Sequence, residues 1–134
     1  MITVGMVLEK KNNHLFTIKS DNDVQQALEI MAHEKISSLP VVDDGGNLIG
    51  IISERDYIRK AIKQRKAPWE FKVVDLMTKD VLSVTRQDQL TECMNIMSSN
   101  AIRHLPVMEN ENLVGIISIT DVVRALRSAR FVMD

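Results

Sequence analysis

The chain has 134 residues, 45% of them hydrophobic, with 17 basic and 18 acidic side chains and a formal net charge of −1. That length and apolar content support a buried core without disulfides or metals, and the balanced charge argues against a nucleic-acid binder that works through a large positive field. The lone cysteine, Cys93, excludes an internal disulfide and fits a reducing cytoplasm, while no apolar run approaches the roughly 20 residues of a membrane span.

Taken in order, the chain opens on an apolar stretch, Met1–Leu8, too short and with no preceding basic run for a secretory leader, and Val4–Leu8 within it is a lead-in segment. Leu15–Lys19 reads as extended. Val24, Ala27, Leu28 and Met31 fall at i, i+3, i+4 and i+7, which predicts an amphipathic helix over about Asp23–Glu34 with Asn22 or Asp23 as N-cap. A hairpin follows, with strands Leu39–Val42 and Leu48–Ser53 and Gly45-Gly46 supplying a positive-φ turn. A second helix covers about Arg55–Arg65. Gln64–Phe71 is the connection, with Trp69 beside Pro68 expected to pack it down.

The order then repeats. Val73–Met77 resembles the lead-in, Val81–Val84 is extended, and Leu90, Cys93, Met94 and Met97 restate the helical stripe 66 residues on, with Asp88 as N-cap of a helix over Gln89–Asn100. Strands Leu105–Met108 and Leu113–Ser118 and a helix over Thr120–Arg130 complete the second half. Leu39-Pro40-Val41 recurs as Leu105-Pro106-Val107, and Gly50-Ile51-Ile52-Ser53 as Gly115-Ile116-Ile117-Ser118, with Asp56 matched by Asp121. Cys93 takes the slot of Ala27, so a small core residue explains it better than a nucleophile. The expected fold is α/β (α+β): two β-α-β-β-α repeats, over 4–66 and 73–130, packed sheet to sheet with pseudo-two-fold symmetry.

These motifs resemble CBS domains, named after cystathionine β-synthase. The resemblance runs from about Val4 to Leu126 and is met twice in register. Ser53–Lys60, with Ile102–Val107 later, is similar to a stand-alone subgroup. It implies a non-catalytic sensor of adenosine ligands that often forms a homodimer. AMP, ADP, ATP and NAD(H) are the expected ligands, with S-adenosylmethionine ranked behind them, and no cofactor is required.

A strand feeding directly into a helix leaves backbone N–H groups that favour an anion. Ser53-Glu54-Arg55-Asp56 and Ser118-Ile119-Thr120-Asp121 stand at two such junctions. Ser53, Ser118 and Thr120 can donate to phosphate. Asp56 and Asp121 suit ribose hydroxyls, since a carboxylate accepts two O–H bonds; the competing reading is an acid that merely favours the helix dipole. The resemblance places phosphate contacts at Arg103 and His104, whose first-half counterparts, Ser37 and Ser38, are uncharged. The site around Asp121 is therefore expected to hold phosphate better, with Arg55 a candidate at the site around Asp56. Ile18, Ile36, Pro40, Val84, Ile102 and Pro106 are candidate adenine walls, and each serves equally as core.

No P-loop, dinucleotide fingerprint, metal-ligand spacing or catalytic triad stands out. The basic run Arg55, Arg59, Lys60, Lys63, Arg65 and Lys66 reads as a solvated helix face. Two functions compete: an adenine-nucleotide sensor signalling to a target protein, and a dimerisation or interaction scaffold without a ligand.

Overall fold

The computed structural model describes residues 1–11 and 14–133, the last five by their backbone. In chain order its elements are α1 (Val4–Lys10), β1 (Ile18–Lys19), α2 (Val24–Glu34), β2 (Ser38–Val42), β3 (Leu48–Ser53), α3 (Glu54–Gln64), a 3-10 turn (Pro68–Glu70), α4 (Val73–Leu76), α5 (Leu90–Asn100), β4 (His104–Glu109), β5 (Asn112–Ser118) and α6 (Ile119–Met133). The result is the mixed α and β fold expected. The chain forms two compact units, Phe16–Val81 and Met1–Leu15 with Leu82–Asp134.

In the unit Phe16–Val81, β1, β2 and β3 form one sheet. Ile18 lies parallel to Val41, and β2 and β3 run antiparallel with a bulge at Val41/Val42. The hairpin turn is built by Asp43, whose Oδ1 accepts from the backbone N–H of Gly45 at 3.0 Å and of Asn47 at 2.8 Å. Gly46 carries the positive φ of 82°, a conformation glycine adopts without steric cost. Helix α2 starts at a reciprocal cap: Asp23 accepts from the N–H of Gln26, and the Gln26 side chain accepts from that of Asp23. It ends at Lys35 in the left-handed region. Val24, Ala27 and Met31 turn inward to meet Leu39, Val41 and Ile52. Burial of each large apolar side chain contributes roughly 1.5–3 kcal/mol. Leu28 is only partly buried.

The unit of Met1–Leu15 with Leu82–Asp134 repeats this plan. β4 and β5 form an antiparallel pair with a bulge at Val107/Met108, and Leu90, Cys93, Met97, Leu105, Val107 and Ile117 belong to its core. Asn110 and Glu111 both have positive φ, 50° and 70°, between the paired Glu109 and Asn112. This is the tight two-residue hairpin loop that accounts for the length difference between the repeats.

The lead-in segments do not stay with the repeats they precede in sequence. Val73 at the head of α4 donates to the carbonyl of Asn22 at 2.8 Å, and Val24 donates to that of Phe71, so α4 docks at the start of α2. In the other unit Val4 donates to the carbonyl of Asp88 at 2.9 Å and Leu90 to that of Ile2, so α1 docks at the start of α5. Each core takes its lead-in from the other half of the sequence: Val73 and Leu76 in one, Val4 and Leu8 in the other.

Some local expectations change. The strand expected at Val81–Val84 is reduced to a single parallel bridge between Val84 and Val107. The N-cap of α5 is Gln89, with no side-chain cap bond; Asp88 instead accepts from the N–H of Thr85 at 2.8 Å, closing the preceding turn. Trp69 is 67% exposed rather than packed against the connection. The residue that anchors there is Phe71, which is buried and has the Lys66 ammonium 5.6 Å from its ring centre. Met94 is 39% exposed, so the second helical stripe is narrower than its spacing implied.

Candidate functional site

The two strand-to-helix junctions carry the same construction. Ser53 is the N-cap of α3: its Oγ accepts from the N–H of Asp56 at 3.3 Å, and Asp56 Oδ2 accepts from the N–H of Ser53 at 2.8 Å. At the head of α6, Ser118 Oγ accepts from the N–H of Asp121 at 3.1 Å, and Asp121 Oδ2 accepts from the N–H of Ser118 at 2.9 Å. These are capping boxes. The Ser-x-x-Asp pattern thus has a structural cause of its own, stronger than the dipole effect weighed from sequence.

The supply of free N–H groups is smaller than the junctions suggested. Glu54 donates to the carbonyl of Ser37 at 3.1 Å, and Ile119 to that of Arg103 at 2.9 Å. With the capping bonds counted, the second helical residue of each junction, Arg55 or Thr120, is the one whose N–H has no such partner among the described residues. An anion at either junction would meet one backbone donor and nearby side chains rather than a fan of amides.

Each aspartate also meets a lysine, and the two lysines come from different elements. Lys60, one turn along α3, places Nζ 3.6 Å from Asp56 Oδ1 and donates to the carbonyl of Leu76 at 2.7 Å. The matching position in α6 is Ala125, which cannot do this. There the cation is Lys11, following α1. Its Nζ lies 2.6 Å from Asp121 Oδ2 and donates to the carbonyl of Ile116 at 3.0 Å, 105 residues away in sequence. Ile51, the counterpart of Ile116, satisfies its carbonyl with the N–H of Thr78 instead. Asp121 is buried, at 8% exposure. Burial pushes its carboxyl up, but the Lys11 hydrogen bond, the Ser118 N–H and the Lys11 charge outweigh that and hold it below the ordinary carboxylate value.

The hairpins bring further predicted residues to these junctions. Ser38 lies opposite Ser53, and His104 opposite Ser118, in register. Ser38 is buried and His104 half-buried, while Arg103 is exposed just before β4. The candidate adenine walls divide. Ile18 and Val84 are core residues, and Pro40 and Pro106 are buried in β2 and β4 opposite Ile51 and Ile116. Ile36 and Ile102 are half-buried at the strand entrances, so they retain surface that a ligand could use. Arg55 is half-buried and Thr120 exposed. Thr120 opens a groove of about 540 Å³ along α6, lined by Ile119, Val123, Arg124, Arg127 and Ser128. Sequence reasoning passed over Arg124 and Arg127, although their spacing from Thr120 puts all three on one helical face. It also passed over Lys11, for which no local signal exists. No group of acidic, histidine or cysteine side chains suited to a metal ion occurs among the described residues. No helix among them is long and apolar enough to cross a membrane.

Two units of one plan, each with a capped strand-to-helix junction bearing an aspartate, define a tandem-repeat protein. The family model of the CBS domain matches residues 6–63 and 73–128, and the chain belongs to the CBS-domain family, of which it carries two domains. It is 39% identical over 111 residues to CBS domain-containing protein CBSX3, mitochondrial, of Arabidopsis thaliana, covering 80% of this chain and 54% of that one. The chain therefore spans about half the length of that relative. Among solved structures it resembles CBSX2 in complex with AMP, with a TM-score of 0.77 and 29% identity over 96% of this chain and 98% of that one. It also resembles the CBS domain pair of protein MJ0100 in complex with 5′-methylthioadenosine and S-adenosylmethionine, with a TM-score of 0.82 and 26% identity over 96% and 98%.

Proposed function

We propose that this chain is a regulatory module that binds an adenine nucleotide and passes its occupancy to a target protein, without catalysing a reaction. The observation that carries this reading is the repeated junction. In each half an aspartate is held at a helix start by a serine cap, its Oδ2 accepting from the serine backbone N–H. A carboxylate oriented in this way suits the 2′ and 3′ hydroxyls of a ribose. Arg103 and His104 at the Asp121 site, and Arg55 at the Asp56 site, are the candidate phosphate contacts. Ile36 and Ile102 are the adenine walls with surface to spare. The adenosine ligands of CBSX2 and MJ0100 support the class of ligand. AMP, ADP, ATP and NAD(H) remain the leading candidates, and the MJ0100 complex keeps S-adenosylmethionine in the set. A single, buried cysteine, Cys93, is in keeping with a reducing cytoplasm.

The scaffold reading has one observation in its favour. Ile58 and Ile62 on α3 are 56% and 66% exposed, and Val123, which matches Ile58, is 44% exposed on α6. Such residues on a surface helix suit packing against a second copy, and a homodimer is part of both readings.

A thermal-shift panel with AMP, ADP, ATP, NAD, NADH and S-adenosylmethionine separates the two. A ligand binding only the folded state adds about 2.7 kcal/mol at 100 times its Kd, a rise of several degrees. A flat panel on protein free of copurified nucleotide, together with a stable dimer by light scattering, selects the scaffold.

A further inference from the structure

We infer that Lys11 is a latch on the Asp121 site, which a ligand must displace before its ribose can take the carboxylate; this rests on the nucleotide reading above. The ammonium stands 2.6 Å from Asp121 Oδ2, against an acid that is 8% exposed. It is anchored a second time by the carbonyl of Ile116. A ribose offers that carboxylate neutral hydroxyls only. Trading a cation for neutral donors at a buried acid loses charge compensation that the hydroxyls do not restore, so binding is opposed until the lysine finds another partner.

The Asp56 site carries a looser form of this device. Lys60 meets Asp56 at 3.6 Å in a one-turn pair on the same helix, a longer contact than the 2.6 Å between Lys11 and Asp121. The second anchor of Lys60 is the Leu76 carbonyl at the end of α4, at 2.7 Å. Lys11 differs because it follows α1 directly, and α1 is bonded at its head to Asp88 and Arg86 through Val4 and Gly5. Val7 and Leu8 keep α1 in the core, so release of Lys11 acts on the end of that helix and leaves its seat in place.

The test uses adenosine, which lacks a phosphate and so reports the ribose end alone, with AMP as control. Titrations by calorimetry are run in an Asp56→Ala background to silence the other site, comparing Lys11 with Lys11→Met. Lys11→Gln, which keeps a donor for the Ile116 carbonyl, is the second variant if Lys11→Met does not fold by circular dichroism. A latch open in about a tenth of molecules weakens apparent affinity about tenfold, so its removal should tighten adenosine binding by about that factor. Adenosine affinity unchanged or weaker, with AMP still binding, would overturn the latch and leave the nucleotide reading standing. Loss of AMP affinity alone would make Lys11 a phosphate contact, again overturning the latch. Binding of neither compound to any variant would remove the nucleotide reading and the latch with it.

Discussion

Ser118 and Asp121 cap one another at the head of α6, the backbone N–H of each donating to the other's side chain at 2.9 and 3.1 Å. Ser53 and Asp56 do the same at α3. Ser118→Ala and Ser53→Ala should each cost about 1 kcal/mol, the usual value of an N-cap, by urea denaturation. An effect below a few tenths of a kcal/mol at both sites would mean that the boxes are incidental and the serines are kept for a ligand.

The same junctions rank the two sites. Asp121→Ala should reduce a nucleotide-induced rise in Tm more than Asp56→Ala, because Arg103 and His104 accompany Asp121 while Ser37 and Ser38 accompany Asp56. Equal losses by calorimetry would contradict this ranking.

Asp121 also gives the fold an acid-sensitive contribution. Its carboxyl is held below the ordinary value, mainly by Lys11 and Ser118 against the effect of burial. The stabilisation is complete above the unfolded carboxyl value of about 4 and is lost as pH falls through the lower folded value. The Tm gap between wild type and Asp121→Asn should therefore be full at pH 7 and narrow below about pH 4. A gap that stays constant from pH 7 to 3 would show that the Lys11–Asp121 pair does not stabilise the fold.

Gly50 and Gly115 hold the lead-in segments close. A Cβ on Gly50 would come within 2.7 Å of Met77 Sδ and 2.9 Å of the Thr78 carbonyl, whereas on Gly115 it would meet Leu8 methyls at 3.0 and 3.1 Å. The backbone carbonyl cannot yield as a side chain can. Gly50→Ala should cost about 1–3 kcal/mol and Gly115→Ala less, measured by chemical denaturation. The reverse order would mean that α4 repacks more easily than α1.

Cys93 is buried, and burial pushes its thiol up to about 11, with the charges of Asp88 and Glu92 adding to the effect. It should resist iodoacetamide at pH 8 in the native protein and react on denaturation. The neutral thiol favours the fold below the unfolded value of about 8.5, and that contribution falls away as pH rises towards 11. Cys93→Ala should cost only about 1 kcal/mol, because Ala27 already fills the equivalent position. Rapid alkylation of the folded protein would contradict the burial.

Much of this molecule was determined by the sequence itself. The recurrence of Leu-Pro-Val and Gly-Ile-Ile-Ser, with helical stripes between them, set the order of elements in both halves, since strand and helix periods are local properties. Ser53 and Asp56, and Ser118 and Asp121, stood out as a repeated pair three residues apart, but that they cap one another was decided by the structure. The reduction of Val81–Val84 to one bridge was not legible, because strand length depends on what a neighbouring strand offers for pairing. Only the tertiary structure decided where the lead-ins go. Val4 bonds to Asp88 and Val73 to Asn22, and nothing in either segment names its partner. The same holds for Lys11. Its ion pair with Asp121 joins opposite ends of the chain, and long-range electrostatic partners are chosen by the packing that brings them together.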